Sequence, residues 1–144
     1  MKQFIIVTGA AGFIGSQLCE KLLNENLFVI GLDNLNDYYD INLKKERLAK
    51  IKRIAIGEWK FLKCDLENNY LLVKIFKKYK PSIVFHLAAQ AGVRYSLENP
   101  KQYIKSNLVG FHNIIECCRK SKVKNFIYAS SSSIYGGNTK LPFF

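Results

Sequence analysis

Hydrophobic positions fall along the chain in five short β-branched or aromatic runs, at residues 4–8, 27–32, 59–62, 82–87 and 125–129. Runs this continuous predict strands buried on both faces, because a half-exposed strand would alternate. Helical spacing fills the gaps between them. Ile14, Leu18 and Leu22 share one face after the first run, and a second helix is expected around 43–53. A third is expected over 69–79, with Leu72, Ile75 and Phe76 inward, and Pro81 stops it. Asn99-Pro100 opens a long fourth helix, with Ile104, Leu108, Phe111, Ile115 and Cys118 as its buried stripe. Asn107 sits within that helix, where its amide is expected to brace neighbouring backbone. Strands alternating with helices predict an α/β fold, a Rossmann-like doubly wound parallel sheet of order 3-2-1-4-5. Residues 1–144 read as one domain with no linker or repeat.

The first strand runs into Gly9-Ala10-Ala11-Gly12-Phe13-Ile14-Gly15, and a helix leaves this turn. Strand, glycine turn and helix form the context in which such a motif binds a dinucleotide. Gly9 permits the tight turn, Gly12 lets backbone approach a pyrophosphate, and Gly15 lets helix and sheet pack closely. Ala11, Phe13 and Ile14 belong to the same turn. The N–H groups and positive dipole end of the helix then face the phosphates. The second strand ends in Asp33, next to Asn34. A carboxylate there accepts hydrogen bonds from ribose hydroxyls and repels the extra phosphate of NADP, so NAD is the expected cofactor. Asp33 could instead be a simple turn former.

Residues 34–40 are polar and turn-rich, and are expected to form a loop on the ligand side. Asp65, beside Leu66, follows the third strand; it either reaches the adenine amino group or caps the next helix. Leu87, Ala88 and Ala89 end the fourth strand, where small residues admit a flat cofactor and where a doubly wound sheet binds its ligands. Four serines, 130–133, end the fifth strand and read as hydroxyls at the mouth of a pocket. A tail from Asn138 to Phe144 carries no regular pattern. Tyr70 and Lys74 match Tyr-x-x-x-Lys, but they lie on a crossover helix away from the expected site and are set aside as surface residues.

Nearly half of the residues are hydrophobic, which excludes disorder. No apolar run approaches a membrane span, and no leader precedes the first strand, so a cytoplasmic protein is expected. Cys19, Cys64, Cys117 and Cys118 show no metal spacing and read as small buried hydrophobes in a reducing compartment. The net charge is +11. It is assigned to solvated helix surfaces, among them Lys44, Lys45, Arg47, Lys50, Lys77 and Lys78. No aromatic residues interleave with these to suggest nucleic-acid binding. Such a field would favour an anionic nucleotide substrate.

Four segments, 9–15, 33–40, 86–100 and 129–144, together resemble the UDP-glucuronate 4-epimerases of the extended short-chain dehydrogenase/reductase group. The loop Asn36-Asp37-Tyr38-Tyr39-Asp40, the run from Gln90 to Ser96 and the Gly136-Gly137-Asn138-Thr139-Lys140 tail are its more selective parts. The resemblance implies NAD-dependent inversion at C4 of a UDP-hexuronic acid through a transient 4-keto sugar, in a homodimer, with no nucleic-acid or membrane partner. It also implies that Ser131, four residues before Tyr135, is the catalytic hydroxyl, with Ser132 on the sugar. Arg94, by its fork geometry, suits a carboxylate or phosphate, and equally an exposed loop. The family's catalytic tyrosine lies in Tyr-x-x-x-Lys after the fifth strand, and the chain stops before such a pair. The 144 residues thus read as an epimerase truncated before its later strands and substrate region, inactive alone, with an uncovered fifth strand inviting self-association. A dehydratase or decarboxylase on the same scaffold, or an NAD-binding module without catalysis, remains an alternative.

Overall fold

The computed structural model describes residues 3–142; Met1, Lys2, Phe143 and Phe144, and with them the end of the irregular tail, lie outside the described residues. Five parallel strands form the sheet: β1 (Phe4–Thr8), β2 (Phe28–Asp33), β3 (Trp59–Lys63), β4 (Ile83–His86) and β5 (Asn125–Tyr128). Their order is β3-β2-β1-β4-β5. β1 is central, with Ile6 opposite Ile30 on one side and Val84 on the other. Helices α1 (Phe13–Asn24), α2 (Ile41–Ile54) and α3 (Asn69–Tyr79) make the first crossovers. Short helices α4 (Val93–Glu98) and α5 (Pro100–Tyr103) follow β4, and α5 runs through a π-helical stretch (Ile104–Gly110) into α6 (Phe111–Lys120).

Side chains on a strand alternate between faces, and this period divides the core in two. Ile6, Ile30, Leu32 and Val84 meet Leu72, Phe76, Ile114 and Cys117 beneath α3 and α6. Ile5, Val7 and Val29 meet Cys19, Leu23 and Ile51 beneath α1 and α2. Both layers are therefore full, as a parallel sheet requires. All four cysteines are buried free thiols. Burial pushes Cys19 and Cys118 up to about 12 and Cys64 up to about 11, so none is a ready nucleophile.

Four details differ from the sequence reading. In α1 the buried face is Gly15, Ser16, Cys19 and Leu23, while Ile14 is 67% exposed. The close approach of Gly15 to Gly9 rotates the helix onto its small residues and leaves the first turn open. In the long helix, Ile104 and Leu108 are exposed, and Ile115 is partly so; Gly110, Asn113, Ile114, Cys117 and Cys118 face inward. The π-helical stretch bonds i to i+5, so a stripe drawn at 3.6-residue spacing loses register across it. Helix α4 occupies a segment with no clear helical period. Lys44 is 4% exposed rather than on a solvated surface, because its ammonium turns into the 34–40 loop.

Candidate functional site

The cleft lies at the carboxyl ends of β1, β2 and β4, where a doubly wound sheet reverses its winding. Gly9 has φ +68, and a Cβ there would lie 2.9 Å from the Ala88 nitrogen. A Cβ on Gly15 would lie 2.0 Å from the carbonyl oxygen of Gly9. The turn thus closes only with glycine at both positions. Gly12 is the N-cap of α1 and no side chain caps it. Phe13 is 72% exposed beside it, and the first-turn N–H groups of a helix have no carbonyl partner within the helix. This cradle is open to an anion, and a dinucleotide pyrophosphate fits it.

Asp33 joins this turn to the end of β2. Its Oδ2 accepts from the Ala11 N–H at 3.1 Å, and its Oδ1 accepts from the Leu35 N–H at 2.8 Å. The carboxylate is thereby oriented into the cleft, and each oxygen keeps a lone pair for a ribose hydroxyl. Asp65 is not a helix cap: Asn68 caps α3, its Oδ1 accepting from the Leu71 N–H. Asp65 instead accepts from Glu67 N–H and from the Asn34 amide, across to the loop after β2.

The buried hydroxyl of Thr8 organises the opposite wall. It accepts from the N–H groups of Leu87 and Ala88 at 3.2 and 3.1 Å, and it lies 2.8 Å from Nδ1 of His86. With its acceptor sites taken, the hydroxyl donates to Nδ1, which makes His86 a neutral imidazole protonated at Nε2. Burial holds its pKa down at about 4. Beyond it, Gln90 N–H donates to Asn107 Oδ1 at 2.8 Å and Asn107 Nδ2 donates to the Gln90 carbonyl at 2.9 Å. Asn107 therefore braces backbone, as its mid-helix position suggested.

The structure brings Gly9, Gly12, Asp33, Asn34, Asp65, Leu66, Leu87, Ala88 and Ala89 together around the cleft. Ala11 and Gly15 are buried and Phe13 and Ile14 are exposed, and none of the four lines the cleft. Ser131, Ser132 and Arg94 do not line it and are exposed. Ser131 accepts from the Ser133 N–H at 3.2 Å and caps a single 3-10 turn (Ser132–Tyr135). Tyr70 is exposed on α3, with the Lys74 ammonium 4.1 Å over its ring, outside the cleft.

Cleft residues to which sequence reasoning gives no individual site role are Leu32, Asn36, Tyr38, Tyr39, Lys44, Cys64, Gln90 and Ser106, although the loop 34–40 is expected on the ligand side. Lys44 Nζ donates to the Asn36 carbonyl at 2.8 Å and lies 4.7 Å from the Tyr39 ring centroid. Desolvation lowers its pKa, and the charges of Asp33 and Asp37 oppose that shift. Asp40 caps α2, its Oδ1 accepting from Asn42 N–H at 2.8 Å, and Lys44 follows it by one turn, beside the loop expected on the ligand side.

A family model, the NAD dependent epimerase/dehydratase family, matches residues 5–143. The chain belongs to that family. Protein CapI of Staphylococcus aureus is 54% identical over 139 residues, covering 96% of this chain and 41% of that protein. UDP-glucuronate 4-epimerase 4 of Arabidopsis thaliana is 47% identical, covering 96% of this chain and 31% of that protein. The chain thus spans less than half the length of these relatives. Among solved structures, UDP-glucuronic acid 4-epimerase from Bacillus cereus, in complex with UDP-glucuronic acid and NAD, is 34% identical with a TM-score of 0.83. It matches 96% of this chain and 43% of its own length. The cofactor of the family is NAD.

Proposed function

We propose that these residues form the NAD-binding part of a cytoplasmic enzyme that inverts C4 of a UDP-hexuronic acid, converting UDP-glucuronate to UDP-galacturonate. The observation that carries the cofactor reading is the Asp33 carboxylate, locked to Ala11 N–H beside an uncapped glycine turn. The substrate reading is supported by the 44–47% identity to proteins named UDP-glucuronate 4-epimerase or probable UDP-glucuronate 4-epimerase, and by the Bacillus cereus structure.

In this reading Asp33 accepts from the ribose hydroxyls, and Asp65 faces the adenine end. Gly9, Gly12 and the first turn of α1 (Phe13 and Ile14) receive the pyrophosphate. Leu87, Ala88 and Ala89 let the cofactor lie close to backbone. When bound, NAD supplies the hydride acceptor and donor at C4. Ser131 holds the reacting sugar oxygen by a hydrogen bond, Ser132 touches the sugar, and Arg94 pairs with its carboxylate or a phosphate. Catalysis is assigned only to a polypeptide that also carries a Tyr-x-x-x-Lys pair after β5, because the tyrosine moves the hydroxyl proton. The exposed apolar face of Ile104, Leu108 and Ile115 supports pairing with a second copy.

The test is incubation of the full-length protein with UDP-glucuronate and separation of the products. UDP-galacturonate without net NADH is expected. A decarboxylated or dehydrated nucleotide sugar would contradict the reading, as would unchanged substrate.

A further inference from the structure

The loop 34–40 follows β2 and the segment 87–103 follows β4, and β1 lies between those strands. Two strand spacings therefore separate their starting points, about 10 Å. The two segments nevertheless touch. The Tyr38 ring stands edge-on to the Tyr95 ring with centroids 4.8 Å apart, and Tyr95 lies against Tyr103 at 6.5 Å. The Tyr103 hydroxyl donates to the carbonyl oxygen of Gly92. Gly92 has φ +101, and a Cβ there would lie 2.5 Å from the Tyr38 hydroxyl oxygen. The seat beneath Tyr38 is thus shaped for that side chain and admits only glycine.

The loop that carries Tyr38 is anchored independently of this contact. Arg47 Nη1 donates to the Tyr39 hydroxyl at 2.9 Å and to the Ala11 carbonyl at 3.3 Å. Lys44 holds Asn36. Tyr38 itself lines the cleft together with Gly9, Gly12 and Ala88, whereas Tyr95 and Tyr103 do not. A contact from the β2 side to the β4 side crosses above the end of β1, where a pyrophosphate on the glycine turn would lie.

We propose that Tyr38, closing against Tyr95 and Gly92, is a latch across the cleft that retains a bound dinucleotide, with Tyr103 fixing the position of Gly92. This rests on the NAD reading above. Retention suits a reaction that returns its hydride to the same sugar, because a cofactor that leaves between the two transfers strands the oxidised intermediate. Tyr95 is a positioning residue, acting through Tyr38. Aromatic contacts of this kind are weak enough to open, and losing them should change the exchange rate about tenfold.

The experiment is a stopped-flow chase of NAD from the protein, with Tyr38→Ala, Tyr38→Phe and Tyr95→Ala compared with wild type. Tyr38→Ala and Tyr95→Ala are both expected to speed dissociation about tenfold and to speed association as well, while Tyr38→Phe keeps the ring contact and stays near wild type. Without cofactor, amide exchange over 34–40 is expected to rise in Tyr95→Ala. Wild-type exchange rates in Tyr95→Ala would overturn the latch, even if Tyr38→Ala releases NAD faster, because Tyr38 would then be a direct contact only. Unchanged amide protection over 34–40 in Tyr95→Ala would also overturn it. Absence of NAD binding to the wild-type protein would overturn the cofactor reading itself.

Discussion

The Ala11 N–H and the Asp33 carboxylate meet at 3.1 Å, so the glycine turn after β1 and the end of β2 form one rigid unit. The same carboxylate is the group proposed to read the ribose, and both of its oxygens accept from backbone, Oδ2 from Ala11 N–H and Oδ1 from Leu35 N–H. Asp33→Asn keeps an acceptor oxygen but loses the charge; Asp33→Ala loses both. Hydrogen bonds to a charged group contribute about 1.5–3 kcal/mol, so Asp33→Ala should weaken NAD binding by tenfold or more. Asp33→Asn should relax discrimination against NADP and weaken NAD binding less than Asp33→Ala, since its single oxygen can keep one of the two backbone bonds. Titrations of both cofactors into both variants check this; unchanged NAD affinity in Asp33→Ala would leave Asp33 a turn residue.

Gly15 allows a sharper test of the turn. A Cβ at that position would sit 2.0 Å from the Gly9 oxygen and 2.8 Å from its carbonyl carbon, and both are backbone atoms that cannot step aside cheaply. Gly15→Ala should therefore displace α1, abolish NAD binding and destabilise the fold by several kcal/mol, within the range of about 1–5 that overpacking and backbone strain produce. Gly137→Ala is the control, since nothing lies within 4 Å of its Cβ position. A melting curve for each variant decides; equal melting temperatures would contradict the packing described.

His86 makes stability depend on pH in a stated window. Its folded pKa is about 4, below the ordinary value of 6.5, so the unfolded chain binds the extra proton between those two values. Stability is then full above pH 6.5 and is lost as pH falls toward 4, by about 3 kcal/mol. Other groups titrate there too, so the quantity to measure is the difference between wild type and His86→Gln in urea midpoints at pH 7 and pH 4.5. A shallower pH dependence is expected in the variant. Parallel curves would mean that His86 is not held neutral by its burial.

Thr8 is expected to be less replaceable than its small size suggests. Thr8→Val preserves shape but strips the acceptor from Ala88 N–H and the donor from His86, while Leu87 N–H keeps the main-chain carbonyl at position 8, 3.3 Å away. Each group left buried without a partner costs about 1–3 kcal/mol. Thr8→Ser, which keeps the hydroxyl, should recover most of the loss in chemical denaturation; equal losses in both would place the effect in packing.

The sheet was legible because every strand is a short apolar run closed by a turn or helix signal, and alternation with helices left one parallel order. The wall segments of the cleft after β1, β2, β3 and β4 were legible for the same reason, since each follows a strand whose end was readable. What escaped depended on geometry that residue type does not encode. Lys44 reads as a surface cation, yet two bonds to Asn36 hold it inside. Ile104 and Leu108 read as core, yet the π-helical stretch turns them outward. The pairing of Tyr38 with Tyr95 depends on a positive φ at Gly92, which the sequence shows only as another glycine.

The exposed Ile104, Leu108 and Ile115 give a test of assembly. Leu108→Glu should convert a dimer of the full-length protein into a monomer in sedimentation, with its NAD affinity little changed, because Leu108 does not line the cleft. A dimer that persists would place the interface elsewhere.

The measurement that bears most directly on the whole account is calorimetric titration of NAD into the protein alongside its Asp33→Ala variant. One NAD per chain, with binding weakened tenfold or more in the variant, is the expected result. Absence of binding to the wild-type protein, or equal affinity in both, would contradict the assignment of this cleft to the dinucleotide.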